Sequence, residues 1–207
     1  MIDFDNISVI QKDSIDVSFF YQYAEKKFGF KLLAGEGGLD HKIKDQNLHR
    51  PGLALAGFVD LFSYTRIQVF GNTEIKYLAK LTANERYEAL ERIFKFEIPC
   101  IICTNGNQPF IELLELANKY NTPLMITEYT TTKFSNIVGD FLDDLFAPNI
   151  TIHGSFVDVY GVGVLFIGKS GIGFGFFCNS RSKPNPCIAH STAHYTVFRN
   201  KIIMHIT

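Results

Sequence analysis

The strongest constraint in this chain is a rhythm of short apolar strands and amphipathic helices between residues 66 and 130. Arg66-Ile-Gln-Val-Phe70 alternates polar and apolar residues and closes on Gly71-Asn72, which reads as a strand and its end. Thr73 is expected to cap a helix through Leu81, and Asn84 another through Phe94. Ile98-Pro-Cys-Ile-Ile-Cys103 is a buried strand followed by the turn Asn105-Gly106. Pro109 to Tyr120 carries Phe110, Leu113, Leu114 and Ala117 on one helical face, and Pro123-Leu-Met-Ile-Thr127 is the next strand. Strand, helix, strand, helix in that order predicts an α/β layer with a largely parallel sheet.

The flanks extend this pattern. Val17, Phe20, Tyr21, Ala24 and Phe28 recur at helical spacing, with Gly29 as a stop, and Lys31–Ala34 is a short strand ending on the turn Gly35–Gly38. Pro51 stands where a helix can begin, ahead of a small, apolar body reaching Phe58. Thr130-Thr-Thr132 caps a helix that runs to Leu145 and breaks at Ala147-Pro148. These boundaries suggest an α/β domain over residues 1–130, a connecting helix over 131–147 and a new domain from 148. Cys100 and Cys103 form a C-x-x-C. Three residues apart in a strand they point to opposite faces, so they are expected to be ordinary buried thiols.

Composition narrows the function classes. At 46% hydrophobic and 20% charged the chain is an ordinary soluble globular protein. A net charge of −1 argues against a dedicated nucleic-acid binder. The acidic start Met1-Ile-Asp-Phe-Asp5 lacks the order of a signal peptide, and no apolar run is long enough to span a bilayer, so no membrane association is expected. Four cysteines do not make a disulfide scaffold, and a cytoplasmic location follows. The near-zero balance hides an uneven distribution. Residues 1–173 hold all 21 acidic and 16 basic side chains, whereas residues 174–207 hold Arg181, Lys183, Arg199 and Lys201 and no Asp or Glu. Such a break marks a compositional boundary.

Chemistry concentrates just before that boundary. Phe156-Val-Asp-Val-Tyr160 reads as a strand, Gly161-Val-Gly163 as a tight turn and Val164-Leu-Phe-Ile167 as an apolar strand. Gly168-Lys-Ser-Gly-Ile-Gly173 follows directly. An apolar strand running into a glycine-rich loop is how a phosphate cradle starts, because glycines let successive N–H groups converge on an anion. Gly168 and Gly173 have the spacing of the nucleotide-binding P-loop, but the next two positions are Phe174 and Gly175. The lysine that would reach the β- and γ-phosphates and the hydroxyl that would ligate Mg²⁺ are missing. Lys169 and Ser170 sit inside the loop and do not replace them.

The segment from His153 to Gly173 resembles the start of the kinase domain of the HPr kinase/phosphorylase family. Arg50-Pro-Gly-Leu-Ala-Leu-Ala-Gly-Phe58, followed by Arg66-Ile-Gln-Val-Phe-Gly71 and Glu74…Tyr77-Leu78, is similar to the signature of that family's N-terminal domain. Ile98–Ile102, Pro123-Leu124 and Thr130–Thr132 match as well, so the resemblance covers residues 1–173. It implies a truncated P-loop-type kinase domain start behind an N-terminal α/β domain. It also implies an enzyme that phosphorylates a serine of the phosphocarrier HPr with ATP or pyrophosphate and Mg²⁺, reverses this by phosphorolysis, and assembles as a homohexamer. On residue type alone His153 is a histidine at a strand start; the resemblance makes it the family's active-site histidine. Gly168, Lys169, Ser170, Gly171, Ile172 and Gly173 would form the first part of the nucleotide loop.

The departures from the family predict little or no transfer. Besides the lysine and hydroxyl of the loop, the family's later Asp-Asp segment with the catalytic aspartate does not follow. Residues 174–207 are therefore expected to be a divergent tail of frameshifted or fused origin. Its Cys178, Cys187, His190 and His194 are spaced C-x8-C-x2-H-x3-H, with the last two able to share a helical face. The first gap is unlike a zinc finger and Pro184 and Pro186 interrupt it, so no metal site is expected. The alternative to an inactive kinase relative is a non-catalytic binding or assembly module built on the N-terminal domain.

Overall fold

The computed structural model describes the backbone of residues 9–152, 154–159, 162–167, 193–198 and 201–205, and the side chains of residues 11–148. In chain order the elements are β1 (Val9–Ile10), β2 (Ile15–Asp16), α1 (Val17–Phe28), β3 (Lys31–Ala34), a 3₁₀ turn (Glu36–Gly38), β4 (Lys42–Ile43), β5 (Leu48–His49), α2 (Gly52–Leu55) and β6 (Ile67–Phe70). There follow α3 (Asn72–Ala79), α4 (Ala83–Phe94), β7 (Ile101–Cys103), α5 (Ile111–Lys119), β8 (Leu124–Ile126) and α6 (Thr131–Phe146). Beyond these come β9 (Asn149–Ile152), β10 (Gly154–Val159), β11 (Val162–Ile167), β12 (Ala193–Phe198) and β13 (Lys201–His205). The chain divides into two units, Asp13–Phe146 on one hand and Met1–Lys12 with Ala147–Thr207 on the other.

The first unit is built on a five-stranded sheet of order β3-β8-β7-β6-β5. Strands β5 to β8 are parallel, and only β3 runs antiparallel, against β8. The α/β fold with a largely parallel sheet is therefore what the chain forms. The register Phe70↔Cys103↔Ile126 brings the carboxyl ends of three strands level. Both faces of the sheet are covered, which is why its strands are apolar almost throughout. Phe70, Ile101, Cys103, Leu124 and Ile126 pack with Leu78, Leu90, Ile93, Leu113 and Leu116 from α3, α4 and α5. Ile67, Val69, Cys100, Ile102 and Met125 pack with Phe20 of α1 and Phe134, Val138 and Leu142 of α6.

That second layer changes the role of α6. The helix read as a connector buries Phe134, Val138, Leu142 and Phe146 in the core of the α/β unit itself. The four residues fall at four-residue steps, so one face of the helix is continuous with the sheet.

Local signals account for most boundaries. Gly29 ends α1 at φ 65°, donating its N–H to the Glu25 carbonyl. Gly35 (φ 72°) and Gly38 lie so close to the Asn121–Thr122 backbone that an added Cβ would sit 1.9 Å from the Thr122 carbonyl oxygen and 1.6 Å from that of Asn121. Two caps differ from expectation. Helix α4 begins at Thr82 rather than Asn84, because Glu85 stands three residues on and the two close a reciprocal cap, the Thr82 N–H donating to Glu85 Oε2 at 2.9 Å. Helix α3 begins after Gly71 rather than at Thr73, because Glu74 reaches back to accept the Gly71 N–H at 2.9 Å.

In the other unit β1, β9, β12 and β13 form an antiparallel sheet, and β10 pairs with β11. Val159 pairs with Val162 and Asp158 with Gly163, so Gly163 lies inside a strand and not in the expected Gly161–Gly163 turn. His194 lies in β12, directly opposite Thr151 on one side and His205 on the other. It is therefore in a strand and does not share a helical face with His190. No helix among the described residues is long and apolar enough to cross a membrane.

Candidate functional site

Polar side chains gather where the parallel strands end. Arg50 is the first residue after β5, Gly71 the first after β6 and Thr104 the first after β7, while Thr131 opens α6 beyond β8. In parallel α/β sheets this carboxyl edge is where ligands bind, since the loops there are free to vary over a fixed scaffold.

Glu74 organises one half of the cluster. Its side chain is only 3% exposed. One oxygen, Oε2, accepts both the Gly71 N–H at 2.9 Å and Arg50 Nη2 at 2.8 Å. A buried carboxylate is tolerated only with such partners, and here the guanidinium and a helix start supply them together. The Arg50 side chain stays 48% exposed, so the pair bridges the interior and the surface.

Thr131 organises the other half. Its hydroxyl lies 2.7 Å from the fully buried Thr104 hydroxyl and accepts Asn105 Nδ2 at 3.0 Å. Asn105 adopts a left-handed φ of 61°, and its N–H donates to the Tyr129 carbonyl at 2.8 Å. Asn107 Nδ2 donates to the Thr104 carbonyl at 2.7 Å and to Asn72 Oδ1 at 2.8 Å, tying the β7 loop to the start of α3. Thr130 caps α6 by accepting the Lys133 N–H. The halves meet at Gly71, where a Cβ would come 2.7 Å from Thr131 Oγ1 and 3.3 Å from Arg50 Nη2. Only a residue without a side chain lets the four loops close this far.

The cysteine pair behaves as its spacing predicts. Cys103 faces the α3–α5 layer and Cys100 the α1–α6 layer, both completely buried. Burial alone pushes the Cys103 thiol up to about 12 and that of Cys100 higher still, so neither is a nucleophile. Among the described residues no three His, Cys, Asp or Glu side chains gather as a metal site requires. His153 and the loop residues Gly168, Lys169, Ser170, Gly171, Ile172 and Gly173 lie outside the described residues.

A family model described as "HPr Serine kinase N terminus" matches residues 21–142. The chain is also 48% identical over 166 residues to the HPr kinase/phosphorylase of Chloroherpeton thalassium, covering 79% of this chain and 49% of that protein. The chain belongs to the HPr kinase/phosphorylase family. The HPr kinase/phosphorylase of Caldicellulosiruptor bescii is 44% identical over 149 residues, which cover 72% of this chain and 48% of the relative. The chain thus spans about half the length of the curated HPr kinase/phosphorylases it matches. A solved structure of the CBS and DRTGG domains of the regulatory region of Clostridium perfringens pyrophosphatase aligns at a TM-score of 0.44 and 15% identity, over 63% of this chain and 51% of that one.

The HPr kinase/phosphorylase match contains the whole carboxyl-edge cluster, from Arg50 to Thr131. In the sequence Arg50, Glu74 and Thr131 stand within the family signature with no site attached to them, Asn105 falls in the expected Asn105-Gly106 turn, and Thr104 lies between that turn and the strand ending at Cys103. The available signal was positional: each is a polar residue placed within a few positions of the carboxyl end of an apolar strand.

Proposed function

We propose that this chain serves HPr kinase/phosphorylase-type regulation as a non-transferring member, with its α/β unit acting as a binding and assembly module. The observation that carries this is the loop sequence. Gly168 and Gly173 keep the cradle spacing, while Phe174 and Gly175 stand where a phosphate-binding lysine and a Mg²⁺-binding hydroxyl are needed. Mg²⁺ with ATP or pyrophosphate is the set the family would use, and this loop does not fit it. A phenyl ring neither neutralises a phosphate nor ligates a metal, and phosphoryl transfer depends on both. His153 keeps its position ahead of the loop but has no transfer to assist.

In the family's setting the phosphorylated partner is a serine of HPr, in cytoplasmic control of carbohydrate use. For this chain the expected contribution is occupancy without turnover: its α/β unit associates with full-length subunits or holds a ligand of its own. Two measurements test this. Calorimetric titration with Mg·ATP and Mg·pyrophosphate is expected to show no loop-dependent binding, and incubation with HPr no phosphoserine. Micromolar Mg·ATP binding, or any transfer to HPr, overturns the non-transferring reading. Co-expression with a full-length homologue is expected to yield mixed oligomers, and a separate, monodisperse monomer overturns the assembly role.

A further inference from the structure

Asn105-Gly106 is the single Asn-Gly step in the chain. In a flexible peptide such a pair modifies itself, because glycine has no side chain to shield its nitrogen from the preceding amide. The Gly106 nitrogen attacks Asn105 Cγ, the Cγ–Nδ2 bond breaks, and ammonia leaves with the proton of the former N–H. Water then opens the resulting succinimide at either carbonyl and leaves an aspartyl or isoaspartyl residue at position 105.

The fold holds each group of that reaction in place. The Gly106 N–H donates to the Thr127 carbonyl at 3.0 Å, so its nitrogen keeps its proton and is turned toward the end of β8. The Asn105 N–H is tied to the Tyr129 carbonyl, and φ values of 61° at Asn105 and 64° at Gly106 fix the turn between the two bonds. The leaving group is held as well, since Asn105 Nδ2 donates to Thr131 Oγ1 at 3.0 Å and to Thr104 Oγ1 at 3.3 Å. Glu128 adds a charge: a Cβ built on Gly106 would lie 2.5 Å from Glu128 Oε2. A carboxylate so close disfavours a second negative charge on the Gly106 nitrogen.

The cluster can close only around the amide. The Thr104 hydroxyl donates to the Phe70 carbonyl at 3.3 Å, which leaves Thr131 as the donor in the 2.7 Å hydroxyl pair. Thr131 Oγ1 then has only lone pairs to offer Asn105, and the amide N–H meets them. A carboxylate at position 105 would bring acceptors to an acceptor. The isoaspartyl form also adds a methylene to a backbone anchored on both sides of the turn.

We propose that Asn105-Gly106 is a self-modification site gated by the carboxyl-edge cluster. It is inert while the cluster is closed, converts when the β7 loop opens, and cannot reclose afterwards. The reaction takes water alone, so it depends neither on the loop at Gly168–Gly173 nor on the reading of the α/β unit as a binding module.

Peptide mapping of the full chain during incubation in warm, mildly alkaline buffer reads the aspartyl and isoaspartyl fractions at position 105. The native chain is expected to convert at least about tenfold more slowly than the chain in concentrated urea. Its rate should stay flat in urea well below the unfolding midpoint, because only a local opening is needed. Thr131→Val keeps the shape of the side chain and removes the acceptor of the amide. It is expected to speed native conversion about fivefold, the weight of one net hydrogen bond. Glu128→Gln, at an exposed position, is expected to speed it about threefold, as one water-screened charge at close range implies. Hydrogen exchange over residues 104–107 should lose its protection in the converted fraction, and retained protection overturns the one-way step. Equal rates in the native and urea-unfolded chain overturn the inference. A rate that climbs steeply through dilute urea makes global unfolding the gate and overturns it too, as does a parent-like rate in Thr131→Val. Should Thr131→Val unfold, as a thermal melt would show, Glu128→Gln decides alone, and a parent-like rate there overturns the inference.

Discussion

On one face of the central sheet α1 and α6 lay aromatic rings against the strands, whereas on the other α3, α4 and α5 are fastened to one another by an ion pair. In the first layer Phe20 meets Phe30 edge-on at 6.2 Å and Phe30 stacks on Phe134 at 5.8 Å. In the second, Arg86 threads between three helices. It donates to both oxygens of Glu112, at 2.9 and 3.2 Å, and to the Leu78 and Leu81 carbonyls at the end of α3, while its guanidinium lies 4.0 Å from the Phe110 ring centre. The difference follows from where a helix ends. The close of α3 lies against α4, and the carbonyls there take Arg86 as a donor, which an aromatic ring cannot supply.

Removing the central piece of each layer should therefore do different things. Phe134→Ala leaves a void that rigid neighbours cannot fill, and a loss of about 4 kcal/mol is expected in denaturant unfolding. Arg86→Met keeps the packing of the stem but leaves Glu112 and the Leu81 carbonyl without the donor they share, for about 3 kcal/mol, while the Leu78 carbonyl still accepts the Leu81 N–H. The distinguishing outcome is the rescue. Adding Glu112→Leu should recover part of the Arg86→Met loss, because a lone buried charge is removed. If the double variant is no better than the single one, the ion pair is not what joins that layer.

The two thiols report on the layers separately. Cys100 lies under α1 and α6 and Cys103 under α4 and α5, both with thiol pKa values far above neutrality because burial disfavours the thiolate. Neither should react with a disulfide reagent in the native state, and each should become reactive only as its layer opens. In Phe134→Ala the Cys100 rate is expected to rise at least tenfold more than that of Cys103, as a kilocalorie-scale local loss implies. Equal acceleration would mean that the sheet opens as one unit.

Much of this architecture was legible in the chain because the signals are local. Helix α1 and strand β3 occupy the expected residues, since a helical apolar face stopped by Gly29 admits little alternative. The opposed cysteines follow from strand periodicity alone. The helix starts were less legible: Asn84 and Thr73 are good caps by type, but Glu85 and Glu74 each reach back three residues and select Thr82 and Gly71 instead. The role of α6 was hidden for a different reason. An apolar stripe of Phe134, Val138, Leu142 and Phe146 says that a partner surface exists but not which one, and only the fold shows it to be the near side of the same sheet. The carboxyl-edge cluster was illegible because it is assembled from residues 50, 71, 74, 104, 105 and 131, and no local pattern encodes their meeting. In the other unit the register sets Tyr195 level with Ile150 and Met204, an apolar row that charge counting over residues 174–207 did not anticipate.

The smallest effect expected lies beside the carboxyl-edge cluster. His49 ends β5, next to Arg50, with its ring 5.5 Å from that of Phe62. Burial, and then the nearby Arg66 charge, hold its pKa below the ordinary 6.5. A histidine depressed in the folded state binds protons more readily when unfolded, so stability is full above about pH 6.5 and declines as pH falls through the folded value. Asp45 does not confuse this window. Burial would raise its carboxyl, but the Asn47 N–H and Arg66 outweigh that and lower it from 3.8, so its own loss comes only at more acid pH. Comparing unfolding midpoints at neutral pH and near pH 5, His49→Gln should flatten the difference seen in the parent chain. Because the ring is partly exposed, solvent screening keeps the change small. An unchanged slope would show that His49 is free to protonate in place, and the α3–α5 layer would then carry no acid sensitivity at its edge.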